Sequence, residues 1–153
     1  MAVTSAFPQV INSIISQLGS ASSLSGIRIF DGIEIDWSYP KDFIAIGHDG
    51  TDDGQVIASQ TNQTYQQLGN LKEFEDGSID CFLSCMDGST NLTALRTRAA
   101  SLISSVDTAL RADASLGGSC LYSILASTSM SYVQSANGAA VNINFTISYR
   151  ART

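Results

Sequence analysis

The stretches YSILASTSMSYV (residues 122–133) and AAVNINFTISYR (residues 139–150) flank an Asn137-Gly138 pair, and their reading decides the fold. Asn-Gly suits a two-residue type I′ hairpin loop, because both central residues of that turn need positive φ. With Ala136 facing Ala139, the register runs through the whole ladder: Tyr132 opposite Ile143, Met130 opposite Phe145, Thr128 opposite Ile147 and Ala126 opposite Tyr149. One face is then almost wholly apolar. The other carries Ser131 with Asn144, Ser129 with Thr146 and Ser127 with Ser148, and ends on Leu125 and Arg150. A two-stranded ribbon of this length cannot bury one side by itself, so helices are expected on the apolar face. The polar face lacks charge and suits partial burial against another surface, which points to a scaffold or assembly subunit.

Length and composition agree with that direction. The 153 residues are read as one domain, 1–153, with 44% hydrophobic residues and a core large enough to dispense with disulfides. Charged residues make up only 14% of the chain, against roughly 25% in an average domain. Ser, Thr, Asn and Gln take their place, as expected of a surface largely covered by neighbours. The net charge is −6, and Arg96, Arg98 and Arg111 are spread around a helix rather than clustered. Tight binding to a phosphate backbone needs converging cations, so specific nucleic-acid binding is not expected, although DNA sliding past such a surface is compatible. The first twenty residues lack a basic region, and no apolar run approaches the roughly 20 residues that span a bilayer, so synthesis in the cytoplasm is expected.

Outward from the hairpin, the remaining elements follow from periodicity. Phe7, Val10, Ile11, Ile14, Ile15 and Leu18 predict a first amphipathic helix, with Thr4 or Ser5 as N-cap, Pro8 in the first turn and Gly19 as the stop. A Ser-rich link leads to a strand around Ile27 and Ile29 that ends at Phe30-Asp31-Gly32. A loop with Trp37, Tyr39 and Pro40 precedes a short buried strand over Asp42 to Gly47, a polar turn from His48 to Gly54, and a strand from Val56 to Thr64. Phe74 to Met86 predicts a central strand, because both of its alternating faces carry apolar residues. After Asp87-Gly88, Thr90 or Asn91 caps a second helix whose stripe is Leu92, Leu95, Ala99, Leu102, Ile103, Val106 and Leu110. That helix should fray near Ala112, since Asp113 would fall on the same stripe, before Leu116-Gly117-Gly118 turns into the hairpin. The sum is an α+β domain: an antiparallel sheet with two amphipathic helices packed on one face and a long C-terminal β-hairpin.

Chemistry-bearing patterns are sparse. Asp49-Gly50-Thr51-Asp52-Asp53-Gly54 partly matches a calcium loop, but Thr51 and Gln60 stand where the third and twelfth ligands belong, so a solvated turn is expected. His48 is the one histidine and has no nucleophile motif around it. Glu73 with Glu75 and Asp52 with Asp53 are read as solvated carboxylates. Cys81 and Cys85 share a strand face about 13 Å apart at ~3.3 Å per residue, too far for a mutual bridge. With Cys120 they are read as buried reduced thiols, and without histidine neighbours they give no zinc spacing. Asn62, Asn91 and Asn144 match the glycosylation pattern by chance. No catalytic residue, metal ligand or cofactor site is assigned.

Several features together resemble the tail terminator and tail completion proteins of long-tailed bacteriophages. They are the N-terminal apolar helix, Ile27 to Gly32 ending in Phe-Asp-Gly, and PKDFIAIG (40–47) followed by Asp49-Gly50. Further on come GSIDCFLSC (77–85), Asp87-Gly88 before the helix bearing Arg96 and Arg98, and Leu116-Gly117 before the closing hairpin. The resemblance implies a virion protein that forms a homo-oligomeric ring, typically a hexamer, on the tail tube protein. The ring stops tube growth and presents a surface to the head–tail connector or neck protein, while DNA passes through its channel. It implies no catalytic residue. A cyclic ring needs two different patches per subunit, and Asp49 to Thr64 and the hairpin's polar face are the expected ones, with the loop at Trp37, Tyr39 and Pro40 a further candidate contact. A head-closure or neck ring protein is the nearest alternative, a monomeric carbohydrate-binding or adhesion module a more distant one, and an enzyme built around His48 the most distant.

Overall fold

Along the last strand, Ala139, Val141, Ile143, Phe145, Ile147, Tyr149 and Ala151 are buried, and the residues between them stay at least partly open. This two-residue alternation fixes which face of the sheet the rest of the chain covers. The computed structural model describes residues 5–32, 42–48, 59–65, 73–88, 91–135 and 138–152. Its elements in chain order are α1 (Phe7–Ser20), a 3-10 turn (Ser22–Leu24), β1 (Arg28–Asp31), β2 (Asp42–Ile46), β3 (Ser59–Tyr65), β4 (Glu73–Asp87), α2 (Leu92–Ala112), β5 (Tyr122–Ser135) and β6 (Gly138–Arg152). The sheet runs β1-β2-β4-β6-β5. β6 occupies one whole edge of β4, so β2 and β3 share the other, at Cys81–Cys85 and Glu73–Ile79 respectively.

The architecture is α+β, as the periodicity implies, but the sheet is mixed rather than wholly antiparallel. β1 pairs with β2 in parallel. β1 ends at Phe30-Asp31-Gly32 as expected, and the Gly32 N–H donates to the Ile46 carbonyl at 2.8 Å, which extends the parallel ladder. Both helices lie on one face. Val10, Ile14 and Leu18 of α1 and Leu95, Ala99, Leu102, Val106, Ala109 and Leu110 of α2 join Ile44, Ile46, Ile79, Leu83 and the inward row of β6 in one core. β4 is central and has two apolar faces: on the far side, Phe82 and Met86 pack against Phe30, Phe43 and Ala45, with the Phe30 and Phe43 rings edge to face at 5.6 Å.

The hairpin forms, but in another register. Tyr132 faces Val141, Met130 faces Ile143 and Thr128 faces Phe145, two residues from the expected partners. The last described pair is Ser135 with Gly138, so the Asn137-Gly138 turn becomes a connection through Ala136 and Asn137, which lie outside the described residues. A register shift at Ala126 then changes the phase of β5. Beyond it Leu125 faces Ile147 and Ser123 faces Tyr149, which puts Leu125 on the helix side and not on the polar face.

The helix ends follow local chemistry with one exception. Asn91 caps α2, its Oδ1 accepting from the Ala94 N–H at 3.2 Å. α2 stops at Ala112, and Asp113 organises the next turn by accepting from Ser115 Oγ (2.6 Å), Gly117 N (2.8 Å) and Ser115 N (3.2 Å). These hydrogen bonds, that from the Ser115 hydroxyl first, hold its carboxyl below the usual range. Leu116 takes φ 52° there and buries its side chain. In α1, neither Thr4 nor Ser5 is the N-cap: the cap position is Ala6, and the helix runs through Gly19 to Ser20. The missing acceptor comes from the sheet. Glu75 of β4 is fully buried; its Oε2 accepts from the Ala6 N–H at 3.0 Å, and its Oε1 accepts from Ser5 Oγ at 2.7 Å and Tyr149 Oη at 2.6 Å. Glu75 is thus not the solvated carboxylate expected. It occupies an inward position of β4 opposite Ala151, where three donors and the positive end of α1 stabilise the charge. Gly77 makes this contact possible, because a Cβ there would overlap the Tyr149 ring.

Three substitutions probe this arrangement. Phe145→Ala is expected to lower the unfolding free energy by about 3–5 kcal/mol in urea titration, whereas Asn144→Ala should change it by less than about 0.5 kcal/mol. Gly77→Ala should cost about 1–3 kcal/mol through displacement of Tyr149, and equal stability with wild type would remove the close approach from the account.

Candidate assembly surface

Residues 122–135 contain no charged residue and no proline. As β5 they form an outer strand of the sheet, and the row of backbone groups facing away from β6 has no strand partner among the described residues. Edge strands are commonly protected by Lys, by Pro, by a bulge or by brevity. Here the register shift at Ala126 is the one such device, in a strand of 14 residues. Leu121, Tyr122, Ile124, Met130, Tyr132 and Val133 are all exposed, and among the described residues Phe7 is the single other large hydrophobic side chain that is. Met130 and Tyr132, opposite Ile143 and Val141, lie on the helix side and are open there, against the expectation that the helices cover it, while Tyr122, Ile124 and Val133 lie on the opposite face. From α2, Arg96 reaches the helix side: its Nε donates to the Tyr132 hydroxyl at 3.0 Å and its guanidinium lies 5.4 Å from that ring's centroid.

The face of the sheet opposite the helices continues the same chemistry. From β5 to β4 it presents Ser127, Ser129 and Ser131, then Asn142, Asn144, Thr146 and Ser148, then Ser78 and Asp80, while Ser84 on the same row is buried. Ser84 Oγ donates to Asn142 Oδ1 at 2.9 Å and Thr146 Oγ1 to Asp80 Oδ1 at 3.3 Å, so parts of the row are tied laterally. At the end bearing the C-terminus, Arg150 makes a two-pronged contact with Asp76 (2.6 and 2.9 Å) and, with Arg152, lies over the Phe74 ring. The Arg150 hydrogen bond holds the Asp76 carboxyl below its usual range. An open hollow of about 310 Å³ crosses this face from Gln60 and Asn62 of β3, past Ser78 and Ser148, to Tyr122 and Ile124. Its lining mixes Gln60, Asn62, Ser78 and Ser148 with Tyr122 and Ile124, and it lies open on the sheet, unlike the enclosed cleft typical of a small-molecule pocket.

The expected contact segments fare unequally. Of Asp49 to Thr64, only Ser59–Thr64 is described; it lies in β3, where Gln60, Thr61, Asn62, Gln63 and Thr64 are all exposed and uncharged. The calcium-like loop at 49–54 and the Trp37, Tyr39, Pro40 group lie outside the described residues, as does Asp52 with Asp53. His48 follows β2, half-buried. Asn91 is occupied as a helix cap, while Asn62 and Asn144 lie on strands. Among the described residues no group of three or more His, Cys, Asp or Glu side chains converges, and no helix is long and apolar enough to cross a membrane. Sequence reasoning missed the Arg98 anchor, whose Nη2 donates to Asp42 Oδ1 (2.8 Å) and to the Met86 carbonyl (2.9 Å), pinning α2 to β2 and β4. An arginine on the flank of an apolar stripe was its one visible sign. Compared with protein-family models and with curated protein sequences, the chain matches none of them.

The three cysteines are free and buried. Burial pushes the Cys81 thiol up to about 12, and pushes Cys85 and Cys120 up to about 11. Burial and then the Glu75 hydrogen bond raise the Tyr149 hydroxyl as well. Each group is held protonated by the fold, so its contribution to stability is full below the unfolded-chain value and is lost as pH rises through the folded one. Native protein should accordingly resist thiol labelling at pH 8 while urea-unfolded protein labels at all three positions. The urea midpoint should fall as pH is raised from 9 to 11; a midpoint flat across that range would contradict the burial of these groups.

Proposed function

We propose that this protein is a structural subunit of a long-tailed bacteriophage virion, a tail terminator that closes into a ring on the tail tube, stops its polymerisation and offers the surface to which the head or neck joins. The observation that carries this reading is the 14-residue uncharged edge strand, which concentrates the exposed apolar side chains and opens onto a broad face of Ser, Thr and Asn. Such a surface is weakly hydrated for its size and suits cover by protein. The resemblance in the order of the sequence features supports the same assignment. The net charge of −6 fits a channel through which DNA moves without being held.

Two copies in a ring meet through unlike patches, and the sheet has two unlike edges on which to build them. The reading is tested by mass and shape. Light scattering of the purified chain, alone and with tail tube protein, should give a mass several times the 16.2 kDa of one chain, and negative-stain images should show rings with a central hole. A monomer at high concentration both alone and on tubes would sink the proposal.

A further inference from the structure

The geometry points to a twofold pair of this chain: β5, over Ser127–Ser135, adds edge to edge and antiparallel to the same segment of a second copy. The pair goes beyond the ring reading and does not depend on it, since a twofold contact closes at two copies whereas a ring needs unlike patches. β5 ends the sheet, and among the described residues no strand lies on its outer side. Residues 127–134 are all exposed. The strand has no charged residue in a chain that carries −6, so two copies meet along it without like charges facing one another. It also lacks the lysines and prolines that commonly keep edges apart.

The strand itself fixes the register. The twofold axis must pass at a residue and not between two, because the latter would set helix-side side chains against those of the other face. The register shift at Ala126 bounds the regular stretch at one end and Ser135 ends the strand at the other, leaving 127–135 uninterrupted. Its midpoint is Ser131, and an axis there pairs the whole stretch. Moved to Met130, the axis would bring the shift into the ladder; moved to Tyr132, it would shorten the ladder. With the axis at Ser131, the chemistry agrees on both faces. On the helix side Met130 lies opposite Tyr132 of the second copy and Tyr132 opposite its Met130, so thioether and ring meet twice. Thr128 lies opposite Gln134 on that side. On the other face Ser131 lies opposite Ser131 of the second copy, and Ser129 opposite Val133. Met130 and Tyr132, which the two helices leave uncovered, thus gain cover from the second chain, and each Arg96 keeps its place over its own Tyr132. A seam about 30 Å long at ~3.3 Å per residue and ~10 Å deep covers on the order of 300 Å² per copy. A stable interface covers roughly 800 Å² per partner, so the pair forms at high protein concentration and parts on dilution.

Substitution at the axis provides the test. In Ser131→Cys the new thiol faces its equivalent across a ladder with Cα atoms about 4.5–5.5 Å apart, a separation that a disulfide spans. Mild copper phenanthroline oxidation of the concentrated variant, without tail tube protein, should convert most of it to a covalent dimer. Ser127 is also exposed, but it lies opposite Ser135 of the second copy, about 26 Å along the seam from the second Ser127 at ~3.3 Å per residue. Ser127→Cys should therefore not link, nor should wild type, whose three thiols are buried. Ser131→Lys sets two cations directly opposite one another. It should leave circular dichroism and the melting temperature close to wild type, while the concentration at which light scattering reads twice the 16.2 kDa of one chain rises at least tenfold. No covalent dimer from Ser131→Cys, equal linking from Ser127→Cys, or a Ser131→Lys chain that associates like wild type would each overturn the seam and leave the ring reading intact. A chain that pairs in this way yet forms no ring on tail tubes would overturn the ring reading and leave the pair.

Discussion

The ladder between β4 and β6 constrains everything else. Fourteen residue pairs, from Phe74 with Arg152 to Asp87 with Ala139, lock the two longest strands together. Because the side-chain period of a strand is two, that register sends Ile79, Cys81, Leu83 and Cys85 to the same side as Val141, Ile143, Phe145 and Ile147. The helices can bury only that side. Two helices packed at 8–10 Å cover roughly 20 Å of sheet width, or about four strands at ~4.8 Å each. The sheet is five strands wide at its broadest path. α1 sits over β1 and β2 and against α2, while α2 sits over β4 and β6 and touches β5, leaving Met130 and Tyr132 uncovered. The exposure of Met130 and Tyr132 thus follows from a width mismatch between layers and is not a local accident of sequence.

A buried carboxylate normally costs several kcal/mol unless it is fully hydrogen-bonded. Glu75 meets that condition with donors from two ends of the chain: Ser5 and Ala6 at the start of α1, and Tyr149 near the end of β6. α1 has no acidic residue in its first turn and no side-chain cap of its own, so the sheet supplies both the acceptor and the negative charge that its N-terminus lacks. A hydrophobic residue at position 75 would leave the Ala6 N–H and the Tyr149 hydroxyl without these partners. Packing and polar satisfaction therefore converge on one place, where helix, central strand and last strand meet.

Much of this was legible from periodicity, and the misreadings have definite causes. The α2 stripe, the two-faced character of β4 and the inward row of β6 each repeat often enough to stand on their own. The hairpin register does not. Sliding one strand by two residues keeps every side chain on its face, so the apolar pattern is equally satisfied by Tyr132 opposite Ile143 or opposite Val141, and only the turn distinguishes them. The bulge at Ala126 is hidden for a similar reason: Ala126 and Leu125 are both apolar, and either can continue the inward row. Glu75 was misread because a carboxylate two residues from another in sequence looks solvated, while the donors that bury it lie about 70 positions away on either side in the chain. On the surface, the uncharged character of residues 122–135 was plain, but the part left uncovered was not, since that depends on how far two helices reach across five strands.

The chemistry of the open surface suits the proposed role, in which a subunit persists alone and then assembles. An apolar edge would be the stronger glue, yet a long apolar edge strand is also a template for indiscriminate pairing. A charged edge would be safe but would resist a second copy that carries the same charge. Ser, Thr, Asn and Gln exchange hydrogen bonds with water for hydrogen bonds with a partner at little net free energy, so the free state is tolerated and the bound state is not penalised. The apolar residues of β5 are spread over both faces and interrupted by Ser123, Ser127, Ser129 and Ser131, which keeps any one patch small. β3 carries the polar half of this logic, and its brevity limits what it can pair with.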